Sequence, residues 1–487
     1  MTEYLFRLPE NMTGTLQSQI QAMMVNAILG GQLAPGSALP SSRKLAEQLK
    51  VARNTVVLAY QSLLDEGFIV ARERSGFYVS DDALSGIVDA PQAHVGNRQT
   101  GGTDVHWESK LTQSPASLPH VKKAKDWQQY PYPFVYGQFD KKMFPIADWR
   151  ECCREASGIA AIHNWAADHI DRDSELLVEQ VHSKLLPRRG IWAEREEILI
   201  TVGAQNALFL AAQLLLNQDK TVGMENPGYV DARNTFLTQT QRIQLMGVDE
   251  NGLIVDENIA KCDCVYVTPS HQYPTTVTMG QARRIELLEQ ANRHDVILIE
   301  DDYESEFNYG SKPIPALKSM DTEGRVIYVG SLSKTLAPGI RLGYMVAPKA
   351  FIREAQALRR IMLRHPPSNN QFIIAQFLKR GYHDALIRRI SHTLYHRSQI
   401  IKALLDEHFP GGASKSDFGG SSYWVQAGNE LDTRILADVA KDKGILIEPG
   451  DSFFYPGTEK QNYFRLGFSS ISAEQIRTGL PLLADLV

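Results

Sequence analysis

Cysteine is scarce in this chain: there are four in 487 residues, at Cys152, Cys153, Cys262 and Cys264. An adjacent pair and a C-x-C lack the separated pairs that a structural zinc site needs, so no metal is expected and the thiols read as reduced and structural. Long apolar runs are missing too. No stretch approaches the ~20 residues that cross a bilayer. The opening MTEYLFRLPENMTG has no basic segment followed by an apolar core, so neither a membrane span nor a secretory leader is expected and the cytoplasm is the default location. Nor is one sign of charge in large excess. With 51 Lys and Arg against 56 Asp and Glu the net charge is −5, which excludes a polycation that coats nucleic acid by bulk charge but leaves room for a local basic face. What is present is ordinary for a globular protein, 43% hydrophobic and 22% charged. The length carries a prior of about three domains at ~150 residues each.

Residues 1–80 have their own organisation. Leu16, Ile20, Met23, Met24, Val25 and Ile28 recur with a helical period that Gly30 and Gly31 end. Pro40, Ser41 and Ser42 open a short second helix with Leu45, Ala46 and Leu49 on one face, and either serine would serve as its cap. After Lys50-Val51-Ala52 a third helix is expected from Arg53 to Asp65, burying Val56, Val57, Tyr60, Leu63 and Leu64. The alternation in FIVARERSGFYVS, residues 68–80, suggests a two-stranded wing turning near Ser75-Gly76. Three helices and a wing make a winged helix-turn-helix, which places the start of its third helix in the major groove of double-stranded DNA. Arg53, Asn54 and Thr55 stand there as candidate base readers, and Ser42, Arg43, Arg72 and Arg74 as candidate phosphate or minor-groove contacts. The plainer reading is a small helical subdomain with exposed charges, and charge alone does not decide, since seven basic side chains face six acidic ones. The stretch LAPGSALPSSRKLAEQLKVARNTVVLAYQSLLDEGFI closely resembles the GntR-type DNA-binding domain. It departs from the usual pattern with Lys50 where Gly is common and Ala52 where Ser is common.

From Asp81 to Gln128 the chain is rich in Ser, Gly, Gln and Pro without sustained periodicity and reads as a linker. Residues 129–487 alternate apolar strands with helices, the pattern of an α/β sheet. Ile198 to Val202 reads as a strand, and Gly203-Ala204-Gln205 then opens a helix whose first amides suit a phosphate, although a small residue there also serves packing alone. In ENPGY, Tyr229 follows a strand and would stack on an aromatic ring, or simply pack. The strand Val296–Ile299 runs into Glu300-Asp301-Asp302-Tyr303. Carboxylates at the carboxyl end of a buried strand are costly unless paired, which points to a ligand crevice, with helix capping as the plainer role for one of the acids. The central stretch is RVIYVGSLSKTLAPGIRLGYMVAP, residues 325–348. Its Lys334, between two buried runs, would have its amine desolvated and available for a Schiff base, while Ser331, Ser333 and Arg341 would hold a phosphate. A solvated lysine on a serine-rich loop competes with that reading on this window alone.

In order, GAQ, ENPGY, the Asp301 cluster, SLSK and Arg341 match fold-type I aminotransferases, and with the GntR-like head the whole chain resembles the MocR/GabR family of transcription regulators dependent on pyridoxal 5'-phosphate (PLP). The resemblance implies an N-terminal winged helix-turn-helix plus a fold-type I aminotransferase-like α/β domain. It implies Lys334 as the aldimine lysine, Asp301 on the ring nitrogen, Tyr303 on the ring hydroxyl and Tyr229 stacked on the ring. Gly203, Ala204, Gln205, Ser331, Ser333 and Arg341 would hold the phosphate, and Arg465 in YFRLGF would clamp an acidic group of the effector. Where such enzymes carry Asn-Pro-Thr-Gly this chain has TPSHQYPTT, so Tyr273 replaces the Asn and His271 is expected to compensate. The resulting expectation is a homodimeric DNA-binding regulator that senses an amino-compound effector by aldimine exchange at Lys334, any aminotransferase turnover being residual. The alternatives are a working aminotransferase with an accessory head, and a regulator of vitamin B6 metabolism that responds to PLP itself.

Overall fold

The computed structural model describes residues 6–8, 14–83, 106–121, 124–137, 140–309, 314–413 and 419–487; much of the expected linker, 84–105, lies outside them. The chain divides into two compact units, Met1–Lys110 and Leu111–Val487.

In the smaller unit, helices α1 (Leu16–Leu29), α2 (Ser42–Leu49) and α3 (Arg53–Asp65) precede an antiparallel hairpin of β1 (Ile69–Arg72) and β2 (Gly76–Val79). Its core is Ile20, Met24 and Ile28 from α1, Leu45 and Ala46 from α2, and Val56, Ala59, Tyr60 and Leu63 from α3. Those four α3 positions fall on one stripe at helical spacing. Val57 lies off the stripe and is exposed, contrary to the expectation that it is buried, and Ala59 takes its place inside. Leu64 is only half-buried. Ser41, not Ser42, caps α2, its hydroxyl accepting the Lys44 amide at 3.2 Å. Lys50 closes the helix in the left-handed region at φ 55°, and Ala52 precedes α3 with no side-chain cap. Both departures from the GntR pattern therefore fall at positions where backbone geometry favours the missing residue.

The larger unit is built on an eight-stranded sheet. Its order is Ile198–Thr201, Gly343–Val346, Val326–Ser331, Ile297–Asp302, Cys264–Val267, Val222–Asn226, Ile243–Asp249, Gly252–Leu253. From Val326–Ser331 to Ile243–Asp249 neighbours run parallel, whereas Gly343–Val346 is antiparallel to both its neighbours. Strands covered on both faces read as continuous apolar runs, and Ile198–Thr201, Cys264–Val267 and Gly343–Val346 are buried at every position. A second core lies under the sheet of Ser422–Gln426, Tyr463–Gly467 and Glu448–Pro449, packed with helices Tyr382–His408, Thr433–Asp442 and Ala473–Ala484. The segment ahead of the sheet is tied to the same unit: Gln113 Nε2 donates to the Thr238 carbonyl at 3.2 Å, and Asn234 Nδ2 donates to the Pro119 carbonyl at 2.7 Å. Among the described residues no helix is long and apolar enough to cross a membrane. The four cysteines are free, and burial raises the thiol pKa values of Cys152, Cys262 and Cys264.

Candidate functional site

The carboxyl ends of the parallel strands open on a cleft of about 370 Å³ lined by Lys334, Asp301, Ser331, Ser333, Arg341, Tyr229, Tyr303, Tyr273, Ala204 and Gln205, among others. This is where open α/β sheets bind ligands. Val326–Ser331 delivers Ser331 to the rim and hands the chain to Ser333 and Lys334. Next to it, Ile297–Asp302 ends in the three acids, and strand alternation sorts them. Asp301 faces the cleft, with the Tyr266 hydroxyl donating to its Oδ2 at 2.8 Å while Oδ1 is buried without a hydrogen-bond partner among the described residues. Burial pushes its pKa up to about 7, against the Tyr266 hydrogen bond and the Lys334 charge.

Glu300 and Asp302 point away from the cleft and have structural partners. Glu300 accepts the amides of Leu317 and Lys318 at 2.7 and 2.8 Å, opening a short 3-10 helix, and lies 3.7 Å from Arg284. Asp302 receives Arg189 Nε at 2.7 Å and the Tyr328 hydroxyl at 2.8 Å. Burial opposes its ionisation, but Arg189 and these hydrogen bonds outweigh burial and hold its pKa below the usual range. The triple-acid signal thus splits into one cleft residue and two that lock the strand to its surroundings.

Across the cleft, helix Gly203–Leu215 starts with its amides free of intrahelical partners. Gly203 sits at φ 76°, a conformation that favours glycine, and a Cβ there would come within 3.2 Å of the Arg341 guanidinium and make that arginine shift at the helix start. Arg341 Nη2 donates to the Val202 carbonyl at 3.4 Å. Ser331 Oγ accepts the Ser333 amide at 3.3 Å, and Ser333 Oγ is buried without a hydrogen-bond partner among the described residues. Gln205 Nε2 donates to Thr235 Oγ1 at 2.6 Å, which turns its side chain to the neighbouring helix and leaves its backbone for the cleft. Tyr229 stands at the start of helix Val230–Leu237 with its hydroxyl 3.3 Å from Asp231.

Two expectations meet a different arrangement. His271 does not line this cleft; it is buried behind it, where desolvation lowers its pKa and keeps the imidazole neutral, and neither ring nitrogen has a hydrogen-bond partner among the described residues. Arg465, expected to wait for an acidic ligand, is fully buried and already paired. Its Nε and Nη2 lie 2.8 and 2.6 Å from Glu448 Oε2, and Nη2 donates to the Tyr273 hydroxyl at 3.0 Å. The ion pair follows from sheet register, since Glu448 and Arg465 are cross-strand partners. Burial alone would lower the Arg465 pKa; Glu448 outweighs that and raises it. Its guanidinium also lies 4.0 Å from the ring centroid of Tyr136 and 4.6 Å from that of Tyr273.

Sequence reasoning missed Tyr136, Tyr266, Glu304 and Glu448. Lys334 Nζ lies 4.3 Å from the centre of the Tyr136 ring, whose hydroxyl donates to Glu304 at 2.8 Å. None carries a local motif; only Glu304, within two residues of the acid cluster, had a signal that could have been followed.

On the smaller unit Ser42 and Arg53 share a surface, Arg53 Nε donating to Ser42 Oγ at 3.4 Å. Arg43, Arg53, Asn54, Arg72 and Arg74 are exposed and Thr55 is half-buried. Arg72 lies over Tyr78 at 4.3 Å, and Arg74 turns the wing at φ 59°.

The cleft's donor set fits a flat phosphorylated ring with a basic nitrogen: a lysine, a protonatable carboxyl and a serine hydroxyl each with an oxygen unpartnered among the described residues, and a helix start beside an arginine. Comparison with known proteins agrees. Residues 16–79 match the bacterial regulatory proteins of the gntR family and residues 169–481 match aminotransferase class I and II. The chain is 41% identical to the HTH-type transcriptional regulator TauR of Rhodobacter capsulatus, over 97% of this chain and 96% of that one. It is 27% identical to the probable rhizopine catabolism regulatory protein MocR of Rhizobium meliloti, over 96% and 92%. Among solved structures it is similar to the kynurenine aminotransferase of Pyrococcus horikoshii, with a TM-score of 0.71 and 27% identity, covering 78% of this chain and 97% of that one.

Proposed function

Because the chain belongs to the MocR/GabR family, PLP-dependent transcription regulators that join a GntR-type DNA-binding head to an aminotransferase-like domain, we propose that its large domain senses an amino-compound effector at Lys334. The observation that carries this is the meeting of Lys334, Asp301 and Ser333 on one cleft, the last two each with a buried oxygen left unpartnered among the described residues. Lys334 would hold the cofactor covalently. Asp301 would stabilise the proton on the ring nitrogen, Tyr229 would cover the ring, and Tyr303 would meet the ring hydroxyl. The Gly203–Gln205 amides, Ser331, Ser333 and Arg341 would hold the phosphate. When bound, PLP supplies an electrophilic carbon that one primary amine at a time can occupy.

An effector amine would displace Lys334 from that carbon, and its acidic group would approach Arg465 from the Tyr273 side, in competition with Glu448. The changed occupancy of the cleft would alter how the heads of a homodimer are presented to operator DNA. Tyr273 favours sensing over turnover: where enzymes of this fold carry an asparagine for the ring hydroxyl, this tyrosine is bonded to Arg465.

Borohydride reduction of the PLP-loaded protein, followed by peptide mapping, is expected to place the cofactor on Lys334, and Lys334→Ala to abolish the label with the fold intact. Label on another lysine overturns the site. Footprinting of the intact protein with and without candidate amines is expected to show a protected operator whose occupancy changes; no protection in any condition removes the regulator reading. Steady-state turnover with those amines would favour the working-aminotransferase alternative, and a footprint responding to PLP alone would favour a B6 regulator. Sedimentation reads the homodimer.

A further inference from the structure

We propose that Glu304 receives the Lys334 ammonium once an effector has displaced that lysine from the cofactor. The inference rests on Lys334 being the cofactor lysine and adds a residue to its exchange step. Lys334 stands between two voids: besides the cofactor cleft it lines an adjoining cavity of about 50 Å³, together with Glu304, Ser421 and Asp140 and the apolar side chains of Leu386 and Leu394. A cavity of that size exceeds the minimum for a water molecule, so an ammonium group fits it.

Glu304 is 2% exposed. Its Oε1 accepts the hydroxyls of Tyr136 at 2.8 Å and Ser421 at 2.6 Å, while Oε2 is buried with no hydrogen-bond partner among the described residues. Tyr136 links the two groups, its hydroxyl on Glu304 and its ring face 4.3 Å from Lys334 Nζ. The other acid on this cavity is engaged, because Asp140 Oδ2 receives Arg397 Nη2 at 2.8 Å. Asp301 is committed to the ring nitrogen while the cofactor is bound.

Amine exchange needs such an acceptor. The effector would arrive as an ammonium and lose a proton to attack; the carbon–nitrogen double bond to Nζ would be replaced by one to the effector nitrogen. With that bond protonated before and after, two protons in all would pass from the effector nitrogen to Nζ, which would leave as an ammonium, so charge and atoms balance with no co-reactant. A buried ammonium without a counter-ion is strongly disfavoured, which would drive Lys334 back onto the cofactor. Glu304 offsets that penalty and moves the equilibrium towards the effector-bound form.

Methylamine is the probe, since it has no acidic group and does not involve Arg465. With the PLP-loaded full-length chain, Glu304→Gln is expected to raise the methylamine midpoint, read from cofactor absorbance, about tenfold, one unit in the apparent pKa of Lys334; Glu304→Asp raises it less. In cofactor-free protein, competitive acylation by acetic anhydride across pH, read by mass spectrometry, is expected to show the Lys334 pKa falling by about one unit in Glu304→Gln. Midpoint and acylation profile both unchanged in a folded Glu304→Gln protein overturn the proposal. If that variant does not fold, wild-type Lys334 decides: an apparent pKa below about 8 in cofactor-free protein means no counter-ion holds it and sinks the idea. Failure of borohydride to label wild-type Lys334 would instead refute the cofactor assignment, and the acylation profile would still report whether Glu304 pairs with this lysine.

Discussion

Asp301 shows at the scale of one residue how burial prepares chemistry. A buried carboxyl with one oxygen unpartnered among the described residues is a poor place for negative charge, and burial pushes its pKa up to about 7. An acid whose folded-state pKa exceeds its unfolded value binds protons on folding, so its contribution to stability is greatest below about 4 and falls as pH rises towards 7. Cofactor-free protein should therefore unfold at lower urea at pH 8 than at pH 5. Asp301→Asn should flatten that slope by on the order of 2–4 kcal/mol without abolishing it, because buried Glu225 and Glu300 titrate in the same window. An unchanged slope would mean that Asp301 has a partner in solution. Arg465 poses the complementary case. Removing one member of a buried pair leaves an uncompensated charge, so Arg465→Ala should cost about 3–5 kcal/mol in urea unfolding, and Glu448→Gln with Arg465→Met together much less. If Arg465→Ala is nearly neutral, Glu448 is not its obligatory partner and the guanidinium is available to a ligand in the resting protein.

Elements set what those residues can do. The α2–α3 connection carries two choices that local geometry disfavours: Lys50 in the left-handed region and Ala52 at a cap position without a cap. Lys50→Gly should relieve about 1 kcal/mol of backbone strain, and Ala52→Ser should add about 1 kcal/mol by bonding an orphan amide. Hydrogen exchange of α2 and α3 amides in the full-length chain reads both as slower opening; no added protection in either variant would place the limiting opening elsewhere in the head. The strand Ile297–Asp302 shows the same logic in the large domain, its alternation sending Asp301 to the cleft and its neighbours to Arg189 and Arg284.

At the scale of the whole molecule, a chain with net charge −5 must bind DNA through local contacts. Exposed Arg43 at the start of α2 suits a phosphate, so Arg43→Ala should weaken all duplexes about equally and reduce the salt slope by about one. Arg53, at the start of α3 and braced by Ser42, suits a base, so Arg53→Ala should cost ~1–3 kcal/mol on the operator alone. Binding isotherms at several salt concentrations on operator and unrelated DNA separate the two; equal losses on both sequences would make Arg53 a backbone contact.

The sequence by itself determined the features that are local in the chain. Helical spacing of apolar residues placed α1 to α3, uninterrupted apolar runs marked the buried strands, and a small-residue turn between two such runs singled out Lys334. Spacing was already less decisive for which side chains face inward, as exposed Val57 shows. Only the tertiary structure decided the pairings. Tyr136 meets Glu304 from 168 residues away and Tyr273 meets Arg465 from 192; Glu448 faces Arg465 through strand register. Such contacts leave no periodicity or motif behind, because they are set by how strands are ordered and registered in the sheets, and that is a property of the packed chain.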